Sequence, residues 1–191
     1  TLALFAILGS APLSAQTDYP LKLNGPVTAL GSDFRLLPRI SPDGSRAVYL
    51  ADHETEEVFE LYSVPLAGGS PVKLNGPLTA FGNLTDFVIS PDGTRVVYRA
   101  YTGPVGTERL EIFSVPIGGG TAVKLNATLP LGGDILRYKI SPDSSHVVYV
   151  ADQDLNDVRE LYSVPLAGGT APEKLNEPLN GNRDVGVDFS Y

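Results

Sequence analysis

The sequence predicts an all-β protein built from repeated four-stranded units, and three observations support this fold class. Three blocks of residues recur in phase at intervals of about 50 residues, a period typical of repeat proteins. No segment shows apolar residues at the 3.6-residue spacing of an amphipathic helix. The chain contains 20 glycines and 16 prolines in 191 residues, and these residue types favour the tight turns that join short strands.

The repeat consists of three blocks that keep the same order along the chain. The first starts with Ile-Ser-Pro-Asp and ends in Val-Tyr, the second reads Glu-Leu-Tyr-Ser-Val-Pro or a close variant, and the third is Lys-Leu-Asn. The first block occupies residues 40–49, 89–98 and 140–149, the second begins at Glu60, Glu111 and Glu160, and the third ends at Asn24, Asn75, Asn126 and Asn176. Three blocks in register at one period indicate duplicated structural units.

Each unit is predicted to contain four strands, a to d. Strand a ends at Ile-Ser, and Ser-Pro-Asp-Gly then forms a type I turn that the glycine closes in left-handed geometry. Strand b is rich in Val and Tyr, strand c is the Glu-Leu-Tyr-Ser-Val block, and strand d ends at Lys-Leu-Asn after a Gly-Gly turn. In the third unit Ser144 replaces the turn glycine, which costs about 1–2 kcal/mol, so we expect this hairpin to be the weakest.

Four antiparallel strands in a unit of this length predict the blades of a β-propeller. The succession of Ser-Pro-Asp-Gly, Glu-Leu-Tyr-Ser-Val, Gly-Gly and Lys-Leu-Asn resembles the TolB-type β-propeller repeat over residues 21–190. We therefore expect an all-β propeller fragment with three four-stranded antiparallel blades at 33–76, 84–127 and 134–177, an orphan strand d at 21–24 and an orphan strand a at 184–190. The same repeat occurs in envelope proteins, sugar-processing lyases and prolyl-oligopeptidase-like enzymes, so the resemblance specifies architecture more than function.

The first fifteen residues have the composition of a secretory signal peptide. An apolar run at 2–8 is broken at 9–12, and cleavage is expected after Ala15. The run is shorter than the roughly 20 residues that span a bilayer, so we predict no integral membrane segment in the mature chain (16–191) and a periplasmic or secreted location.

Because propellers close with about four to eight blades, we expect an incomplete propeller cut at both ends. The alternative is a short protein that completes its ring by self-association.

The composition excludes several classes of function. The chain has no cysteine, which excludes disulfides, thiolate catalysis and zinc sites with cysteine ligands. Its formal net charge of −8 repels the phosphates of nucleic acid, so we do not expect nucleic acid as a partner.

One polar loop has the spacing of a calcium-binding segment. Between strands b and c of the third unit, oxygen-bearing side chains alternate at Asp152, Asp154 and Asn156, and Glu160 can add another oxygen. Ca²⁺ prefers about 6–8 oxygen ligands, so these residues are candidate calcium ligands. The first unit repeats the spacing at Asp52, Glu54 and Glu56. Both loops lack a glycine at 57 and 157, and the alternative interpretation is a solvated acidic loop without a bound ion.

Nothing in the sequence has the pattern of a catalytic site. There is no Gly-x-Ser-x-Gly motif for a nucleophilic serine, and we expect His53 and His146 to be exposed surface residues. Neighbouring acids offer Arg46 and Arg95 ion-pair partners, although surface pairs contribute only about 0–1 kcal/mol. The repeated tyrosines are expected to pack in the core: Tyr49, Tyr98 and Tyr149.

We therefore predict an exported, non-catalytic propeller scaffold whose loop-lined face holds a protein, peptide or glycan. Fold analogy is the basis of this prediction, and two alternatives stay open. In the first, the propeller is one domain of a larger prolyl-oligopeptidase-like hydrolase whose catalytic domain is missing. In the second, the chain is a calcium-stabilised cell-surface protein, and calcium is the one cofactor that the sequence suggests.

Overall fold

The computed structural model describes residues 38–55, 57–78, 84–177, 179 and 184–185. In these residues the chain forms three antiparallel sheets of four strands each. The first sheet contains β1 (Arg39–Ile40), β2 (Arg46–Ala51), β3 (Glu60–Pro65) and β4 (Val72–Lys73). The second contains β5 (Leu84–Ile89), β6 (Arg95–Thr102), β7 (Arg109–Pro116) and β8 (Val123–Lys124). The third contains β9 (Ile135–Ile140), β10 (His146–Ala151), β11 (Glu160–Pro165) and β12 (Glu173–Lys174).

Each sheet is a meander, because its strands lie side by side in chain order and correspond to the predicted strands a to d. No helix is present in the described ranges, and the prediction of an all-β fold with three four-stranded antiparallel units is confirmed. The predicted signal peptide at 1–15 and the predicted orphan strand at 21–24 lie outside the described residues. Of the predicted orphan strand at 184–190, only residues 184–185 are described.

A stacked aromatic pair links strands b and c at the same register position in every sheet. Tyr49 lies opposite Tyr62, with ring centroids 5.8 Å apart. The equivalent pairs are Tyr98–Phe113 at 5.3 Å and Tyr149–Tyr162 at 5.4 Å. Cross-strand aromatic pairs stabilise a sheet and bury a large apolar area. The burial of the repeated tyrosines confirms their predicted place in the core.

The sheets pack face to face in chain order. We call the face that packs toward the preceding sheet the leading face and the opposite one the trailing face; side chains alternate between them along each strand. Val48 and Leu74 on the trailing face of the first sheet cluster with Phe87 and Tyr98 on the leading face of the second. The next seam repeats this arrangement with Val97, Ile112 and Leu125 against Tyr149 and Val164.

The turns between strands a and b are held by side chains of the Ser-Pro-Asp-Gly block. Ser41 Oγ accepts the Arg46 N–H at 3.0 Å and donates to Asp43 Oδ1 at 2.5 Å. Ser144, the residue that replaces the turn glycine in the third sheet, has a φ of 59° and so adopts the predicted left-handed geometry. Its hydroxyl accepts the Asp92 N–H of the second sheet at 3.0 Å. This bond between sheets offsets part of the expected strain, and the weakness of the hairpin stays a prediction.

The hydrogen bonds of these turns predict a low pKa for the turn aspartate and a loss of stability at acidic pH. Hydrogen bonds from Ser41, and then from Ser45, lower the pKa of Asp43 from 3.8 to about 2. Since the folded pKa lies below the unfolded value, this carboxylate stabilises the fold above pH 3.8, and its contribution disappears as the pH falls through about 2. A carboxyl-carbon NMR titration should give a midpoint near 2 for Asp43, and Ser41→Ala should move it toward 3.8. A titration midpoint near 3.8 for Asp43 in the unsubstituted protein would contradict the hydrogen bonds of the turn.

The repeated glutamate of strand c holds the repeated lysine of strand d. In the third sheet Glu160 accepts hydrogen bonds from Lys174 Nζ at 2.7 Å and from Tyr162 Oη at 3.0 Å. Glu60 is contacted in the same way by Lys73 and Tyr62. In the second sheet, Phe113 replaces the tyrosine, and Thr102 Oγ1 donates to Glu111 instead at 2.6 Å. Lys124 Nζ pairs with Glu111 Oε1 at 3.0 Å. Each of the three carboxylates is thereby both paired and hydrogen-bonded, as charges removed from water require.

The asparagine of Lys-Leu-Asn closes the end of strand d on strand c. Asn75 Oδ1 accepts the Leu61 N–H at 2.7 Å, and Asn126 Oδ1 accepts the Ile112 N–H at 3.0 Å. The third sheet repeats the bond from Leu161 N–H to Asn176 Oδ1 at 2.7 Å. An asparagine supplies the acceptor that a peptide N–H needs where the short strand d has ended.

Removing this cap should destabilise the protein more at the buried Asn126 than at the half-buried Asn176. We expect Asn126→Ala to cost about 1–3 kcal/mol, because the buried N–H of Ile112 loses its acceptor. Asn176 is less buried, so water can replace it, and Asn176→Ala should cost about 1 kcal/mol or less. Urea unfolding of both variants measures the difference, and equal costs would contradict this account.

Arg46 and Arg95 donate through Nε to buried serines of strand c, Ser63 at 2.7 Å and Ser114 at 2.8 Å. The prediction that His53 is exposed is wrong, because the residue is buried and its ring stacks on that of Tyr62 with centroids 4.6 Å apart. His146 is exposed as expected. Within the described ranges, no helix has the length and hydropathy needed to span a membrane.

Candidate interaction surface on the loop face

The connections between strands lie at two opposite ends of each sheet. Because the strands alternate in direction, the loops between strands b and c lie at the same end as the connectors that lead from strand d to the next sheet. We call this end the loop face. Its described residues are 52–55, 57–59, 103–108 and 152–159 in the loops and 74–78 and 125–134 in the connectors. The opposite end carries the Ser-Pro-Asp and Gly-Gly turns and is called the turn face.

The first and third loops share one hydrogen bond and one left-handed residue at equivalent positions. In the third loop, Asp152 Oδ2 accepts the Asp157 N–H at 3.1 Å and Oδ1 accepts the Asp134 N–H at 2.6 Å. In the first loop, Asp52 Oδ2 accepts the Glu57 N–H at 3.3 Å. Glu57 and Asp157 have φ angles of 61° and 63°. The chain therefore turns at 57 and 157 through left-handed geometry although neither residue is glycine.

The candidate calcium ligands of the third loop have separate partners. Both carboxylate oxygens of Asp152 accept backbone N–H groups, whereas Asp154 Oδ2 contacts Lys174 Nζ at 2.7 Å. Asn156 Nδ2 donates to Asp157 Oδ2 at 2.9 Å, and its buried Oδ1 has no hydrogen-bond partner. Among the described residues, no three His, Asp or Glu side chains are grouped so that they could hold a metal ion. Glu56 of the first loop lies outside the described residues.

The calcium site stays a prediction that a simple experiment decides. Thermal unfolding in calcium chloride and in a chelator compares the protein with and without the ion. A bound ion that prefers the folded state raises the midpoint, and an unchanged midpoint would discard the site at Asp152, Asp154 and Asn156.

Three large aliphatic side chains are exposed on neighbouring loops of this face. Val105 is 64% exposed, Leu131 71% and Leu155 63%. Val105 lies in the loop of the second sheet, Leu155 in that of the third, and Leu131 in the connector between these sheets. We call these three residues the loop-face patch. Single exposed apolar residues are common on protein surfaces, whereas grouped ones mark interaction sites.

Direct contacts tie the three loops to one another. The Arg109 guanidinium donates to Pro130 O at 2.9 Å and to Thr107 O at 3.4 Å, which joins the second loop to the connector. Gly132 approaches Asn156 so closely that a Cβ built on it would lie 2.8 Å from Asn156 Oδ1. Leu131 and Leu155 are the chain neighbours of these two residues. The patch therefore sits on loops that are fixed relative to each other.

The surroundings of the patch are acidic. Asp154 and Asp157 flank Leu155 and are exposed, and Glu108 follows Val105 in the second loop. The cations nearby have partners: Lys174 contacts Asp154 and Glu160, Arg109 donates to backbone carbonyls, and Arg159 Nη1 lies 3.9 Å from Asp184 Oδ2. The loop face thus combines aliphatic side chains with a negative rim.

A serine, a histidine and an aspartate also meet on the turn face, but in the wrong order for catalysis. Ser145 Oγ lies 2.8 Å from His146 Nδ1 and donates to Asp143 Oδ1 at 2.7 Å. In a catalytic triad the histidine lies between the serine and the acid, which orients it. Here the serine lies between them, so the acid cannot set the histidine tautomer, and the arrangement is a turn.

Solved structures show the fold, although no family model and no curated protein sequence matches the chain. The tricorn protease matches 69% of this chain at 19% identity with a TM-score of 0.54. Prolyl oligopeptidase B from Galerina marginata matches 76% at 15% identity with a TM-score of 0.51. The chain has the fold of a β-propeller. Its three sheets are the blades of a propeller fragment, as the repeat predicted.

The propeller fragment is short beside the proteins that it resembles. It spans 13% of the tricorn protease chain and 22% of the prolyl oligopeptidase chain. A TolB from Agrobacterium tumefaciens matches 73% of this chain and 45% of its own, at 20% identity with a TM-score of 0.48. The similarity to the tricorn protease and to prolyl oligopeptidase B concerns the architecture of the blades.

The sequence analysis missed the loop-face patch. Periodicity assigns apolar residues to faces of one strand, but it does not bring loops of different sheets together. A local signal was present, because each of the three residues stands among turn-forming neighbours: Pro104-Val105-Gly106, Pro130-Leu131-Gly132 and Asp154-Leu155-Asn156. An aliphatic residue between turn formers, outside any strand, has no predicted core to enter.

Proposed function

We propose that this chain is an exported β-propeller scaffold whose loop face binds a protein or peptide partner. The observation that carries the proposal is the loop-face patch, three aliphatic side chains held in water on loops that fix one another. Rigid sheets that present functional loops are a common basis of recognition. Export is supported by the composition of residues 1–15.

The patch favours a protein or peptide over a glycan. Val105, Leu131 and Leu155 are aliphatic, whereas sugar rings are usually held by stacking on aromatic side chains. A propeller domain that serves a peptidase is a second candidate, because the tricorn protease and prolyl oligopeptidase B share the fold.

Selection from a library of random peptides displayed on phage tests the proposal. We expect the purified chain to enrich peptides whose binding is lost in the double variant Leu131→Ser/Leu155→Ser. The matched control is Ile40→Ser, because Ile40 is also strongly exposed but lies beside a Ser-Pro-Asp turn on the opposite face. Binding that survives the double variant, or that is lost equally in the control, would overturn the proposal.

A further inference from the structure

The chemistry of the patch restricts the kind of partner that it fits. An aliphatic partner surface is needed to cover Val105, Leu131 and Leu155, each of which leaves well over half of its side chain in water. Burying one such side chain contributes about 1.5–3 kcal/mol. The shape of the site, three tips on tied loops rather than a deep cavity, suits a short segment of a partner that lies across them.

The charge around the patch restricts the partner further. Asp154 and Asp157 stand beside Leu155, and Asp157 makes its described hydrogen bonds to Asn156 and Asp152 within the same loop. The first loop adds two exposed acids to the same face, Glu57 and Glu54, of which Glu54 contacts Lys73. The whole chain has a net charge of −8. A negative rim attracts cationic groups and repels anionic lipid and nucleic acid.

We propose that the loop-face patch takes a cationic amphipathic peptide segment of a partner protein, in which leucine-like side chains cover Val105, Leu131 and Leu155 while a flanking Lys or Arg side chain meets Asp157. This proposal rests on the proposed function, because it names the partner of the same surface. The cationic side chains of the peptide increase its affinity for the loop face, and its apolar side chains determine where it lies on the loops.

Three synthetic peptides of equal length test this pairing of chemistries. The first alternates Lys with Leu, the second alternates Glu with Leu, and the third alternates Lys with Ser. Fluorescence anisotropy with the full chain should show binding of the Lys-Leu peptide, weaker binding of the Lys-Ser peptide by about tenfold or more, and no measurable binding of the Glu-Leu peptide. Added salt should weaken the first interaction, because exposed charges are screened.

Variants of the protein assign the binding to the patch. Leu131→Ser/Leu155→Ser should weaken binding of the Lys-Leu peptide by about tenfold or more. Asp157→Asn should weaken it by a smaller factor and reduce the salt dependence, and asparagine tolerates the left-handed backbone at this position. Ile40→Ser should leave binding unchanged. Circular dichroism should show that the variants remain folded, because the altered side chains are exposed.

The outcomes separate this inference from the proposed function. If phage-selected peptides bind through Leu131 and Leu155 but carry acidic residues, or if the Glu-Leu peptide binds as well as the Lys-Leu peptide, the cationic partner is wrong and the interaction surface stands. If the Lys-Leu peptide binds the double variant as tightly as the original protein, its contact lies elsewhere and the inference is overturned. If no selected peptide depends on the patch, the proposed function fails as well.

Discussion

Replacing Leu125 with alanine should destabilise the protein by about 2–5 kcal/mol, the range for a buried leucine whose cavity cannot collapse. Leu125 is 2% exposed and lies in the seam between the second and third sheets. The same position of the repeat is Leu74, 1% exposed, in the first sheet and Leu175, 48% exposed, in the third. Because water already reaches half of Leu175, Leu175→Ala should cost about 1 kcal/mol or less.

The comparison tests how the sheets are stacked, because the three leucines have the same sequence context. Urea unfolding followed by circular dichroism gives the free energy of unfolding, and a constant m-value shows that only stability has changed. An equal cost at Leu125 and Leu175 would mean that the trailing face of the third sheet is covered in solution. A small cost at Leu125 would contradict the packing of the second sheet on the third.

Replacing Gly168 with alanine should destabilise the protein by about 2–4 kcal/mol, through left-handed backbone strain and overpacking together. Gly168 has a φ of 71°, and a Cβ built on it would lie 2.6 Å from Val123 Cγ1 of the second sheet. The preceding seam repeats this approach, since a Cβ on Gly119 would lie 2.7 Å from Val72 Cγ1. The Gly-Gly turn therefore lets strand d of one sheet contact the next sheet closely.

The neighbouring glycine is the control for this prediction. Gly169 also has a positive φ, 95°, but a Cβ on it would meet nothing within 4 Å. Gly169→Ala should thus cost only the backbone strain, about 1–2 kcal/mol. In the double variant Gly168→Ala/Val123→Ala the clash is removed, and the coupling free energy measured by unfolding should be favourable. Additive costs, or equal costs at Gly168 and Gly169, would contradict the close approach of the two sheets.

The sequence determined the repeat, the four strands of each unit and the turns, because all of these depend on residues close together in the chain. Ser144 illustrates how far such reasoning reaches. Its place in the Ser-Pro-Asp-Gly block predicts a left-handed residue, which the φ of 59° confirms. Its hydrogen bond to the Asp92 N–H of another sheet could not be predicted, because periodicity within a unit does not define which atoms of two units meet.

The candidate site shows the same limit. The alternation of Asp152, Asp154 and Asn156 is a local pattern that predicts a calcium loop, and only the fold brings Asp134 N–H and Lys174 to two of these side chains. Arg99 is a further case. The sequence shows only a charged residue within a strand, whereas in the structure its guanidinium donates to Asp86 and to the carbonyl oxygens of Ile135 and Leu136 in the next sheet. Such contacts depend on packing between distant residues.

By itself, the sequence determined that this protein is a set of propeller blades, because hydrophobic pattern, turn chemistry and repeat length all act locally. The tertiary structure alone decided which face of each blade is covered and which loops meet. Burial arises when separate sheets exclude water from a shared surface, and this is why Leu125 is buried and Leu175 is half exposed. The order of the sheets places Val105, Leu131 and Leu155 on loops at the same end of the protein.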